Sequence, residues 1–351
     1  MPGRPFQTPA EVFAELATAC HELDIDEWDG YGERGAVARL ESEVASVLGA
    51  ESAAYFPSGV MAQQVALRIW CDRAGSRRVA MPDLSHLLVH ELDGPRILQQ
   101  LEVEHLTTGP VVATADHLAA IPGRLAAVLV EIPLRDAGCL VPTYDELAAL
   151  SAACRERGVR LHVDGARLWE AQTHLDRPLS EITALADTVY VSFYKGLGGL
   201  AGAALVGAPD VIDEARRWRR RMGGTLFRST PEVVSALVGL RDRLPLMGDC
   251  VRWARAMTAA LPASVTVVPP VPHTGTFLLY ADGEPDDVNR RLASYAEEHR
   301  LLLTSPWSPT DQPGRVHCEI AVGEGALELD AVEIAGLIGE LLGPSASPRP
   351  T

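Results

Sequence analysis

Two residues carry groups from which catalysis could be built, and each closes a short apolar run. Val159-Arg-Leu-His-Val-Asp164-Gly165 ends in an acid, and Thr188-Val-Tyr-Val-Ser-Phe-Tyr-Lys195-Gly196 ends in an amine. Runs of this length, rich in β-branched and aromatic residues, predict buried strands. In an open α/β sheet, ligands sit at the carboxyl ends of the strands. Asp164 and Lys195 are therefore expected at the rim where a ligand binds. A lysine among apolar neighbours is a candidate Schiff-base residue, because burial favours its neutral, nucleophilic form. An acid nearby suits the ring nitrogen of pyridoxal 5′-phosphate (PLP), which needs a negative partner to act as an electron sink. Taken singly, Asp164 also reads as a turn or N-cap residue, and Lys195 as a solvated loop residue.

A third feature lies upstream. Ala53-Ala-Tyr-Phe56 predicts a short strand, and Pro57-Ser58-Gly59 then turns into a helix carrying Met61, Val65, Leu67, Ile69 and Trp70. At such a turn the free backbone N–H groups and the helix dipole converge on one spot, and Gly59 lets a phosphate approach. Ser58 is equally a common N-cap.

The elements that must position these groups follow from periodicity. Leu125–Glu131 is a continuous apolar run, as a central parallel strand requires. Thr143-Tyr-Asp-Glu146 is a capping box opening a helix that stops at Gly158. By alternation His162 shares a face with Asp164 and reads as a satisfied core histidine. From about Leu246 the pattern changes to mixed short strands and helices, a small α+β domain. The expected organisation is an N-terminal arm at 1–30, a large domain at 31–245, a small domain at 246–342, and a disordered Pro- and Ser-rich tail at 343–351.

Composition excludes several classes. The chain has 351 residues, 47% of them hydrophobic, and a net charge of −16. The acidic balance argues against nucleic acid as a partner, since such binding rests on neutralising phosphates. No apolar run approaches the roughly 20 residues of a membrane span. The first residues lack an apolar signal core, so a cytoplasmic protein is expected. The six cysteines are widely spaced with no C-x-x-C pair, so neither a metal site nor a disulfide framework is expected.

Taken in order, YGERGAVARLE (31–41), FPSGVMAQQVAL (56–67), Ser85-His86, HVDGARLWEA (162–171) and SFYKGLG (192–198) resemble the threonine aldolase and β-eliminating lyase group of fold-type I PLP-dependent enzymes. The resemblance spans roughly Asp29 to Val322. It implies an α/β fold: a mostly parallel seven-stranded sheet with helices on both faces, plus the small C-terminal α+β domain. It implies that Lys195 holds PLP, that Asp164 keeps the pyridine nitrogen protonated, and that His86 stacks on the ring. Ser58 and Gly59 would cradle the phosphate. Val60 stands where the family has Thr, so a hydroxyl contact is absent while the backbone contacts survive. Ser192 would help hold the phosphate, and Arg167 would meet the phenolic oxygen or the substrate carboxylate. Arg315 would bind the α-carboxylate, and Arg228, on a Gly-Gly loop, would lie near the phosphate and substrate. The Tyr31 loop would serve the active site of a second subunit in a homodimer or homotetramer. Gly198, Gly199 and Gly202 would leave room beside the cofactor.

One segment departs from the family. Ile132-Pro-Leu-Arg-Asp-Ala-Gly-Cys139 stands where threonine aldolases carry an Asn-Thr-His-Asn-like stretch. There is no histidine here; Arg135 or Asp136 takes that neighbourhood, and the base for a β-hydroxyl is left unassigned. The resemblance implies a PLP-dependent lyase that splits a threonine-like β-hydroxy amino acid into glycine and an aldehyde. β-Elimination, racemisation, transamination, or PLP binding without catalysis are the alternatives.

Overall fold

The computed structural model describes residues 7–343, so the expected tail lies outside the described residues save for Gly343. The chain divides between Met247 and Gly248 into two units.

The first unit runs α1 (Pro9–Glu22), α2 (Gly35–Leu48), β1 (Ser52–Phe56), α3 (Gly59–Ala74), β2 (Arg78–Met81), α4 (His86–Val89), α5 (Gly94–Gln99), β3 (Glu102–His105) and α6 (Ala115–Ala120). It continues with β4 (Ala127–Glu131), α7 (Tyr144–Arg157), β5 (Arg160–Gly165), α8 (Leu168–Leu175), α9 (Leu179–Thr183), β6 (Thr188–Ser192), β7 (Ala203–Gly207), α10 (Pro209–Arg221) and α11 (Thr230–Val238). The seven strands form one sheet in the order β1-β7-β6-β5-β4-β2-β3. The five strands from β6 to β3 are parallel, and β7 runs antiparallel to both its neighbours. This is the mostly parallel seven-stranded sheet that the resemblance implies.

Every position of β4 and β6 is buried, as strands covered on both faces must be. Alternation sorts their side chains. Val128, Val130, Val163 and Val191 pack with Leu40 of α2 and Leu147 of α7. Leu129, Tyr190 and Leu205 point the other way, onto Val65 and Ile69 of α3 and Ile212 of α10. Helices thus cover both faces, and each large apolar side chain so buried contributes about 1.5–3 kcal/mol. Local chemistry sets the helix ends. Thr143 and Glu146 cap α7 reciprocally, and α2, α3 and α7 stop on left-handed Gly49, Gly75 and Gly158, a conformation glycine adopts without a Cβ penalty.

The second unit holds α12 (Met247–Ala259, entered from the first unit), β8 (Thr266–Val268), β9 (Thr276–Asp282), α13 (Pro285–His299), β10 (Ser308–Pro309), β11 (Arg315–Ala321) and α14 (Ala331–Leu342). Its four strands are antiparallel in the order β10-β11-β9-β8. Phe277, Leu279 and Ile320 of that sheet pack with Met257, Val288 and Ile334 from its helices in a separate core. Among the described residues, no helix is long and apolar enough to cross a membrane, and no group of three or more His, Cys, Asp or Glu could hold a metal ion.

Candidate active site

The strand order brings chemistry to one edge of the first unit. Parallel pairing sets Glu131, the last residue of β4, opposite Asp164 on β5, and Asp164 opposite Tyr190 on β6. Lys195 follows three residues after β6, on a turn held by Gly198 N–H to Lys195 O at 2.8 Å and Gly199 N–H to Phe193 O at 2.7 Å. Val60 and Gln63 come from the start of α3 and His86 from the start of α4. With Arg135 and Arg167 these residues line a cleft of about 390 Å³ at the carboxyl ends of the strands.

The floor is electrostatically unusual. Asp164 is 1% exposed. Burial raises its pKa above the ordinary aspartate value, against the opposing pull of Lys195. The Ala166 N–H donates to its Oδ1 at 3.0 Å, and the Gln63 side chain also hydrogen-bonds it. Glu131 is pushed up to about 8, first by burial and then by the Asp164 charge. Its two oxygens accept the backbone N–H groups of His86 at 2.9 Å and Arg135 at 3.0 Å. His86 is lowered, by burial first and Lys195 second. Its Nε2 lies 2.8 Å from Glu91, its ring sits 4.9 Å from that of His90, and its Nδ1 is buried without a hydrogen-bond partner. His90 in turn lies 2.7 Å from Asp136. Arg167 pairs with Glu170 at 3.0 Å.

These residues fit PLP. A buried acid whose charge is disfavoured gains from a protonated ring nitrogen set against it. The α3 N-terminus suits the phosphate end: Ser58 is extended at the cap and makes no side-chain cap bond, so its hydroxyl and the first-turn N–H groups could receive an anion. Gly59 is required there, since a Cβ would stand 2.0 Å from the Tyr190 hydroxyl.

The structure gathers Val60, His86, Asp164, Arg167 and Lys195 on the cleft, with Ser58 and Gly59 adjoining Val60 in the chain. Ser192 is fully buried, and its carbonyl accepts Trp169 Nε1–H at 2.9 Å. Tyr31 and Arg228 do not border the cleft. The Tyr31 N–H donates to Phe227 O at 3.0 Å and its ring lies edge-on to Phe227 at 5.3 Å, while Arg228 covers Trp28 at 4.5 Å. Arg315 stands on β11 in the second unit, bonded to Thr266 Oγ1 at 3.2 Å. The room expected at Gly202 is taken by protein: with φ at +92° it packs so that a Cβ would meet the Tyr55 ring at 2.6 Å.

Sequence reasoning missed Glu131, Gln63, Tyr190 and Glu170. Glu131 closes an apolar strand just as Asp164 does, so the same signal was available. Gln63 lies four residues after Gly59, on the same face of α3. Nothing local marks Tyr190 or Glu170.

The model of a family described as β-eliminating lyase matches residues 9–284. The chain is 36% identical to a Listeria monocytogenes protein provisionally assigned as an L-allo-threonine aldolase, whose crystal structure superposes with a TM-score of 0.89 over 97% of this chain and 94% of that one. An Exiguobacterium protein provisionally assigned as an aromatic amino acid β-eliminating lyase/threonine aldolase is 38% identical, with a TM-score of 0.88 over 97% and 95% of the two chains. Low-specificity L-threonine aldolase 1 of Arabidopsis thaliana is 28% identical over 302 residues, 82% of this chain and 83% of that protein.

Proposed function

The chain belongs to the β-eliminating lyase family, and on that premise we propose that it is a PLP-dependent lyase that breaks the Cα–Cβ bond of a β-hydroxy amino acid, giving glycine and an aldehyde. The observation that carries this reading is the placement of Asp164 and Lys195 on one cleft, at the carboxyl ends of neighbouring strands. When bound, PLP supplies an electron sink for the negative charge that develops at Cα. Lys195, on the cleft wall, would be the amine that holds the cofactor and exchanges protons with the substrate. Asp164 would keep the ring nitrogen protonated, and His86 would stack on the ring. The backbone N–H groups at Ser58, Gly59 and Val60 would hold the phosphate, helped by Ser192. Arg167, steadied by Glu170, orients the substrate carboxylate.

We assign the loop at Tyr31 and Arg228 to the site of a second copy, in a homodimer or homotetramer. Its support is that these two residues cluster together around Phe227, off this chain's own cleft. A molar-mass measurement by light scattering tests the assembly.

A second reading keeps the frame and changes the reaction. No histidine stands on the turn after β4, so the histidine that would take the proton of a β-hydroxyl there is absent. That favours β-elimination, racemisation or transamination as rivals. The visible spectrum of the wild type beside Lys195→Ala, followed by addition of β-hydroxy amino acids, separates the readings. We expect a yellow wild type that borohydride fixes covalently, a variant that borohydride does not fix, and glycine on adding substrate. Pyruvate with ammonia would point to elimination instead. A wild type that stays colourless with added PLP would remove the cofactor and with it the mechanism.

A further inference from the structure

The histidine missing from the turn after β4 has a counterpart on the neighbouring element. His90 closes α4, one helical turn beyond His86, and its N–H donates to His86 O at 3.0 Å. Its ring stands 4.9 Å from the His86 ring, which borders the cleft. Its Nε2 lies 2.7 Å from Oδ2 of Asp136, on the turn after β4. A carboxylate oxygen accepts there, so Nε2 carries the proton and the lone pair is left on Nδ1. Nδ1 has no hydrogen-bond partner among the described residues, and the side chain keeps 36% of its surface exposed. An imidazole with one nitrogen open and the other steered by a carboxylate is built as a general base.

The two segments that carry this pair are tied to one another. Glu131 accepts the His86 N–H at 2.9 Å through one oxygen and the Arg135 N–H at 3.0 Å through the other. One buried side chain thus joins the first residue of α4 to the turn that bears Asp136. Leu87 on α4 and Leu134 and Ala137 on the turn are buried, so neither segment rolls without exposing them. His86 is engaged differently: its Nε2 lies 2.8 Å from Glu91 and its Nδ1 is buried. Of the two rings, His90 is the one that offers an open nitrogen at the rim of the cleft.

We propose that His90, oriented by Asp136, is the base that takes the proton of the β-hydroxyl. This deepens the aldolase reading given above and rests on it. The bond that breaks must be aligned with the π orbitals that receive its electrons, so the β-carbon stands off the cofactor plane, toward a wall of the cleft rather than its floor. In the reaction the Cα–Cβ bond breaks and its electron pair passes to the Cα side. The β-oxygen forms a second bond to Cβ as its proton goes to Nδ1. An aldehyde leaves, Cα takes a proton to give glycine, and His90 returns its proton to water.

The test uses the holoenzyme, His90→Ala and Asp136→Asn. Exchange of the glycine α-proton with D2O needs the cofactor and Lys195 but no base for a hydroxyl. It is measured beside glycine release from L-threonine, and the ratio of the two rates is compared. We expect the ratio to fall about 100-fold in His90→Ala, and added imidazole to restore cleavage in proportion to its concentration. Asp136→Asn, which removes the charge that orients the ring, should lower kcat for threonine about tenfold with KM little changed. Binding supplies a readout apart from turnover. L-Serine and L-alanine differ only by the β-hydroxyl and are titrated through the visible absorbance of the cofactor. The wild type should prefer serine by about threefold, and His90→Ala should lose that preference. Cleavage and exchange that fall together in His90→Ala, leaving the ratio unchanged, assign the residue to the support of His86 and overturn the proposal. A wild type that binds serine and alanine alike also overturns it. If the wild type exchanges the glycine proton yet releases glycine from no β-hydroxy amino acid, the aldolase reading itself fails and the proposal falls with it.

Discussion

Glu131 stands opposite Asp164 in the parallel pairing of β4 and β5, and both carboxyls are buried at the floor of the cleft. Two acids so placed repel when both are ionised, and little water reaches either. Burial and then the Asp164 charge push Glu131 from its ordinary 4.5 up to about 8. The folded state therefore binds more protons than the unfolded chain between about pH 4.5 and 8, and stability falls as pH rises through that window. In the cofactor-free protein, the urea midpoint should fall from pH 6.5 to 8, at up to about 1.4 kcal/mol per pH unit. Glu131→Gln should flatten that slope. It should also lower stability at pH 6.5, because the amide NH2 would face one of the two backbone N–H groups that the separate carboxyl oxygens accept. A wild type with no decline over this range would contradict the assignment.

His162 titrates with the opposite sign. It is fully buried on the same face as Asp164, with Nδ1 2.9 Å from Thr188 Oγ1, which also accepts Trp70 Nε1–H at 3.0 Å. Burial lowers it from 6.5 to about 3. Between those values the unfolded chain binds the extra proton, so stability is present above pH 6.5 and is lost as pH falls toward 3. The change should amount to about 2 kcal/mol between pH 6.5 and 5. His162→Gln, neutral throughout and able to bond Thr188, should lose this acid sensitivity. Denaturation curves at the two pH values decide it, and an unaltered acid slope in the variant rules it out.

The first turn of α3 tolerates no Cβ at Gly59. An alanine there would place its methyl 2.0 Å from the Tyr190 hydroxyl and 2.4 Å from Cζ, and that ring is fully buried. Gly59→Ala should cost about 1–3 kcal/mol and weaken PLP binding, because the phosphate-facing N–H groups move with the helix end. In a Tyr190→Ala background the same substitution should cost much less. Equal costs in both backgrounds, measured by chemical denaturation, would show that the ring is not the obstacle.

Asp29 ties the Tyr31 loop to α11. Its Oδ1 accepts Ser229 N–H at 2.7 Å and Thr230 Oγ1–H at 2.6 Å, and its Oδ2 accepts Gly32 N–H at 3.2 Å. The carboxylate is 3% exposed, so these bonds are shielded from water. Asp29→Ala should destabilise the protein by about 3 kcal/mol and speed amide exchange at residues 30–35. Unchanged exchange there would mean that Phe227 alone holds the loop.

Much of this was legible in the chain. Strand-length apolar runs, the Thr143 capping box and the Gly stops are local signals, and a local signal survives without knowledge of its neighbours. So is the alternation that puts His162 and Asp164 on one face. The edge strand β3, Glu-Val-Glu-His, went unread, because a strand exposed along one side carries no apolar run.

The sequence by itself determined the α/β class, the strand ends on which Asp164 and Lys195 stand, and the Ser58-Gly59 helix start, since each depends on a few consecutive residues. Only the tertiary structure decided that Glu131 faces Asp164, that Arg135 rather than Asp136 borders the cleft, and that Tyr31 and Arg228 cluster away from it. Those relations join residues far apart in the chain through strand order and register. Both are settled by how the whole sheet buries its two faces, and no local pattern encodes them.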